Sequence, residues 1–243
     1  VAKRKLQQFA ELNTFKNVFQ NPQLGEQIPD LEIKGKWNKS FFKNNNPIII
    51  ELGCGKGEYT VGLANNNPHF NFIGIDLKGN RIWTGAKQAI DKGLNNVAFV
   101  RTRIENIRSI FAEKEINEIW ITFPDPQPTE KREKKRLTSP RYLSLYQHIL
   151  KKNGLIHLKT DNRPFMEFTL EMASKYFLNV LTHTFDLYSS EENNYILKHP
   201  ELKQIQTYYE KLFSAKGFKI NYCCFEMNET PIAWSKKFGI EGT

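Results

Sequence analysis

The sequence predicts an α/β fold, a doubly wound and mostly parallel sheet of seven strands. Three observations predict it. Short, nearly continuous apolar runs alternate with helical patterns from residue 47 to residue 176, as expected of parallel strands covered on both faces. A glycine-rich turn, Glu51-Leu52-Gly53-Cys54-Gly55-Lys56-Gly57, joins the first such run to the first helical pattern. Two more strand patterns, 178–184 and 218–226, close the series.

The elements follow in order. Residues 1–20 place Leu6, Phe9, Leu12, Phe15 and Phe19 at loosely helical spacing between basic residues. Residues 21–46 hold Pro22, Gly25, Pro29, Gly35 and an Asn-rich patch, the composition of a connector. Residues 1–46 are therefore read as an N-terminal extension, and 47–243 as a single domain. In that domain Ile48–Leu52 is the first strand and 58–66 the first helix. Phe70–Ile75 is the second strand, followed by a helix over 80–93. Val97–Arg101 is the third, with a short helix at 105–112. Glu118–Phe123 is the fourth, before a proline- and charge-rich loop over 124–137. A helix at 139–151, a fifth strand Gly154–Lys159 and a helix at 163–176 complete the alternation. A helix near 201–214 separates the last two strands.

Composition narrows the function. Lys and Arg number 35 against 26 Asp and Glu, a net charge of +9, which favours a polyanionic partner. The three cysteines, Cys54, Cys223 and Cys224, have no CxxC spacing, and the five histidines form no HExxH or HxH pair. No metal site and no disulfide framework is expected. Apolar runs are far below the roughly 18 residues a membrane span needs. No obligatory protein partner is evident, and the expected compartment is the cytoplasm.

The glycine turn carries the first chemical signal. Gly53, Gly55 and Gly57 let the backbone turn sharply and pass close to a ligand at the carboxyl edge of the sheet. The spacing is Gly-x-Gly-x-Gly, whereas the dinucleotide fingerprint places its third glycine one residue later and aims a helix at a pyrophosphate. S-adenosylmethionine has no phosphate, and its ammonium and sulfonium are positive. Glu51 supplies a carboxylate just before the turn. Asp76 ends the second strand, where an acid accepts ribose hydroxyls. Asp76 serves NAD equally well, and the glycines alone are compatible with packing. Together with Glu51 and the spacing they favour S-adenosylmethionine.

The fourth strand leads into Phe123-Pro124-Asp125-Pro126-Gln127-Pro128. The prolines fix the backbone and hold Asp125 at the sheet edge, beside a methyl group in transit. A turn in which Asp125 bonds only its own backbone fits the same residues. The run Glu130-Lys131-Arg132-Glu133-Lys134-Lys135-Arg136 then reads either as solvated surface or, with Arg141 and Lys159, as a phosphate-binding patch. Asp161 is also placed to cap the helix that Asp161-Asn162 opens.

At these residues the chain resembles the bacterial tRNA (guanine-N7-)-methyltransferases. The resemblance runs from Gly35-Lys36-Trp37-Asn38 through Glu51–Gly57, Ile73–Asp76, Phe123–Pro128, Lys135–Thr138 and Lys159-Thr160-Asp161-Asn162 to Thr207-Tyr208-Tyr209-Glu210. It implies a class I, Rossmann-like methyltransferase sheet with an antiparallel last strand. It implies that Glu51, Asp76 and Asp125 line the S-adenosylmethionine pocket; the catalytic role, stabilising the positive charge that the methylated base gains, is assigned to Asp125 first and Asp161 second. It implies that Asp161, Thr207 and Glu210 contact the guanosine, at position 46 of the tRNA variable loop. Two positions depart from the family pattern. Where relatives carry a cofactor-binding Asp after the third strand this chain has Arg103, which cannot accept from an adenine amine, and Glu105 stands two residues on as its replacement. Thr129 replaces the loop lysine, with Lys131 close by to make the substrate contact. The alternatives are an S-adenosylmethionine enzyme acting on other RNA, DNA or protein, and a non-catalytic RNA-binding module.

Overall fold

The computed structural model describes residues 2–23, 28–190 and 193–233. Eight strands form one sheet: β1 Val18–Asn21, β2 Ile48–Leu52, β3 Asn71–Asp76, β4 Val97–Thr102, β5 Ile116–Thr122, β6 Leu150–Thr160, β7 Asn179–Thr184 and β8 Asn221–Glu226. Their order is β1-β4-β3-β2-β5-β6-β8-β7. The first six are parallel, and β8 runs antiparallel between β6 and β7. The expected antiparallel last strand is therefore present. The chain winds outward from β2 to β4, then crosses to β5 on the other side of β2. This reversal opens a crevice at the carboxyl ends of β2 and β5, where α/β sheets bind their ligands.

Helices cover both faces: α1 Ala2–Leu12, α2 Glu58–Asn66, α3 Gly79–Asp91, α4 Ile107–Ile110, α5 Pro140–Ile149, α6 Arg163–Lys175, α7 Asn194–Lys198, α8 Glu201–Gln204 and α9 Tyr208–Ala215. Alternate residues of each strand enter opposite layers. Ile48, Ile50 and Leu52 join one core with Ile73, Ile75, Ile119 and Ile121. Ile49 joins the other with Phe72, Phe99, Trp120 and Tyr222.

The eighth strand, β1, lies in the extension. It pairs with the edge of β4, and the Thr102 hydroxyl donates to Asn21 O at 2.7 Å. Four residues are too few to show a period, so only the partner strand defines it. Trp37, further along the extension, is fully buried, donates from Nε1 to Ile110 O at 3.2 Å and packs against Phe19, Phe42 and Phe111. The helix expected near 201–214 is two helices. Ile205 is buried at the break, and Thr207 caps the second by accepting from Glu210 N.

Candidate active site at the carboxyl edge of the sheet

Backbone hydrogen bonds fix the glycine turn to the neighbouring strand. Gly53 N and Cys54 N both donate to Ile75 O, at 2.8 and 2.9 Å. Gly55 N donates to Asp76 Oδ2 at 3.0 Å, and Lys78 N donates to Oδ1 at 2.8 Å. Asp76 is thus oriented by the two turns that flank it. The three glycines have separate roles. All have positive φ, at 72°, 57° and 72°. A Cβ on Gly53 or Gly55 would meet nothing within 4 Å, so their open faces leave room for a ligand against the backbone. A Cβ on Gly57 would lie 2.6 Å from the Phe99 ring. Gly57 is needed for packing of α2 against the sheet.

Glu51 is buried and bridges the crevice. It accepts from Thr60 N at 2.9 Å and from the Thr60 hydroxyl, at the start of α2. Its other oxygen accepts from the Thr122 hydroxyl at 2.6 Å, at the end of β5. Burial pushes its carboxyl up to about 7, against the pull of these three donors. A cation placed beside Glu51 would offset that desolvation. Thr60 and Thr122 were not singled out in the sequence, and single threonines give no pattern to find.

Two strained residues frame Asp125. Phe123 and Gln127 have φ of 47° and 46°, a region disfavoured for residues with a Cβ. Asp125 is exposed and accepts from Gln127 N at 3.1 Å. The self-bonded turn is therefore present, and it engages Oδ1 of an exposed carboxylate. Just after β6, Asn162 caps α6 by accepting from Phe165 N at 2.8 Å. Asp161 is thereby freed from capping and accepts from the Tyr209 hydroxyl at 3.5 Å.

The remaining expected residues divide. Lys131 is exposed with Arg132, Lys134 and Lys135 on a short 3₁₀ turn, Glu130–Lys135. Arg136 is turned inward, donates to Gln127 O at 3.3 Å and stacks 4.4 Å over Phe168, so it braces the loop. Glu105 accepts from the Tyr142 hydroxyl at 2.8 Å and lies 4.0 Å from Arg141.

One expectation is corrected. Lys159 does not extend the basic patch: it is fully buried, 2.7 Å from Glu210. Its ammonium also donates to Leu202 O at 2.7 Å and Ile205 O at 3.3 Å. Burial lowers its pKa, and Glu210 opposes that shift. Glu210 is the acid of this pair. It has no accessible surface and is held by Lys159 and by the Tyr188 hydroxyl at 2.6 Å. The reason is helical geometry: Thr207 occupies the cap of α9, so Glu210 in the first turn faces the sheet. Thr207 itself accepts from Glu210 N at 3.1 Å and stays partly exposed.

Comparison with known proteins gives the family and the fold. A family model described as "Putative methyltransferase" matches residues 45–223. The tRNA (guanine-N(7)-)-methyltransferase of Christiangramia forsetii is 48% identical over 228 residues, which cover 93% of this chain and 99% of that protein. That of Bacteroides fragilis is 45% identical over 225 residues, covering 93% and 86%. Among solved structures, the 16S rRNA methyltransferase KamB superposes with a TM-score of 0.60 at 12% identity, covering 85% of this chain and 99% of that one. An antibiotic-related methyltransferase gives 0.58 at 20% identity, covering 81% and 94%. Those two structures share the fold. With nearly half of the aligned residues identical to such relatives over nearly its full length, the chain belongs to the tRNA (guanine-N(7)-)-methyltransferase family.

Proposed function

We propose that this protein transfers the methyl group of S-adenosylmethionine to N7 of a guanosine in tRNA, guanosine 46 of the variable loop. The observation that carries the reading is the bridge made by Glu51 between α2 and β5, beside an open glycine turn at the sheet's switch point. A desolvated carboxylate with a raised pKa calls for a cation, and the ligand's ammonium supplies one. The open faces of Gly53 and Gly55 fit a ligand lying against the backbone, and no helix N-terminus is required for a phosphate. Asp76, already oriented by Gly55 N and Lys78 N, accepts the ribose hydroxyls. Glu105, oriented by Tyr142, accepts from the adenine amine in place of the family's Asp.

When bound, S-adenosylmethionine supplies an electrophilic methyl group on a positive sulfur. Guanine N7 offers a lone pair and has no proton to lose, so no general base is required. The chain's task is alignment and charge stabilisation. Asp161 accepts from guanine N1–H and the exocyclic amine, with Tyr209 holding its carboxylate. Thr207 keeps a hydroxyl proton to donate to the base. Asp125 stabilises the positive charge that the base acquires. Glu210 positions α9 through Lys159. Lys131 and its neighbours take the tRNA phosphates. A cytoplasmic location goes with this substrate, and the buried, unpaired Cys54, Cys223 and Cys224 suit a reducing compartment.

Methyl transfer from labelled S-adenosylmethionine to two unmodified tRNA transcripts tests this reading. One carries guanosine at position 46 and the other adenosine. Labelling of the first alone is expected. Equal labelling of both would place the target elsewhere.

A further inference from the structure

We propose that α9 and the turn that follows it form an aromatic stacking surface for unpaired nucleotides of the RNA flanking the target base. This rests on the reading above that the substrate is tRNA. A line of rings leads away from the carboxyl edge. Phe123 lies 5.4 Å from Tyr209, Tyr209 stacks on Phe213 at 4.2 Å, and Phe213 lies 5.3 Å from Phe218. The line starts in the site, because Phe123 leads into the Asp125 loop and Tyr209 bonds Asp161.

Three rings of this region are exposed. Tyr208 is 66% exposed, Phe218 50% and Tyr209 42%, and Leu212 is exposed as well. Exposed apolar rings grouped in one patch mark an interaction surface. The charges around them identify the occupant. Lys56 Nζ sits 5.8 Å over the Tyr208 ring, Lys216 Nζ sits 5.2 Å over Phe213, and Lys211 is exposed on the same helix. Aromatic faces interleaved with lysines match single-stranded RNA, whose bases stack while its phosphates meet the cations. A protein partner has no need of that alternation, nor of continuity with the catalytic edge.

The test uses the full chain with Tyr208→Ala and Phe218→Ala combined. Neither residue has a role in the chemistry assigned above, and both are exposed, so the fold should persist. Each lost stacking contact weakens binding about fivefold or more. The KM for tRNA should rise at least about tenfold, with kcat and the KM for S-adenosylmethionine within about twofold. The slope of log KM against log salt should not change, because no phosphate contact is removed. Tyr208→Phe with Phe218→Tyr should restore the KM. A KM for tRNA within about twofold of wild type in the alanine variant would overturn the proposal, and so would a raised KM that the conservative pair fails to restore. A wild-type protein that does not methylate tRNA would instead overturn the substrate reading beneath it.

Discussion

The two halves of the carboxyl edge are held together in different ways. On the β2–β3 side, backbone groups do most of the work: Gly53 and Cys54 bond Ile75, Gly55 bonds Asp76, and Thr60 bonds Glu51. All these partners lie within one strand-helix-strand unit. On the β5–β6 side, the contacts join distant parts of the chain through side chains. Lys159 on β6 reaches Glu210 on α9 and the carbonyls of Leu202 and Ile205, while Asp161 meets Tyr209. The first half is a preformed cradle for a ligand of constant shape. The second depends on a buried charge pair to hold α9 over the site.

The largest expected effect breaks the second half. Glu210→Gln or Lys159→Met leaves one buried charge without its partner, which costs about 3–5 kcal/mol. Denaturant unfolding should show that loss. The combined variant Lys159→Met with Glu210→Leu should recover most of it. Single variants that cost less than about 1 kcal/mol would mean that the pair does not secure α9.

Asp125→Ala comes next. Its side chain is exposed, so Tm should hold while kcat falls about 100-fold, the usual loss for one group that stabilises transition-state charge. Near-normal turnover would remove Asp125 from the chemistry.

The cradle is probed through Glu51. Its carboxyl is raised from 4.5 to about 7 by burial. In the ligand-free protein the protonated form favours the fold, fully so below pH 4.5. That contribution is lost as pH rises from there through about 7. A cationic ligand favours the ionised form, so affinity for S-adenosylmethionine should fall as pH drops below about 7 and level off above it. Glu51→Gln should weaken binding about 10- to 100-fold, the worth of a charged hydrogen bond, and flatten this profile. Calorimetric titration across pH reads both, and an unchanged profile in the variant would assign the proton elsewhere.

The smallest expected effect lies outside both halves. Charge reversal at Lys131, Arg132, Lys134 and Lys135 should weaken tRNA binding and shallow its salt dependence by about one unit of slope per lost phosphate contact. An identical slope would make the run plain solvated surface.

The same division decides what the sequence reveals. The β2–β3 half is legible because its signals are local: three glycines with positive φ, an acid before them and an acid closing the next strand. Even there, Gly57 looks like its neighbours in sequence and differs only through Phe99, a residue of β4. The other half is not legible in this way. Lys159 reads as one more basic residue until Glu210, 51 positions later, is folded onto it. The 4.0 Å stacking of His157 on Trp120 likewise joins β6 to β5, and no spacing announces it. Strand β1 is four residues long and exists only because β4 has a free edge. Asp161 reads in sequence as either a helix cap or a base contact, and the fold gives the cap to Asn162.

The central claim is methylation of a ring nitrogen that carries a lone pair and no proton. It is tested most directly by digesting labelled tRNA to nucleosides and identifying the product by chromatography and mass spectrometry. The account predicts 7-methylguanosine as the labelled nucleoside. Label in N2-methylguanosine, N6-methyladenosine or N4-methylcytidine would contradict it, because transfer to those amino groups ends with loss of a proton and would require a proton acceptor that the proposed mechanism does not include.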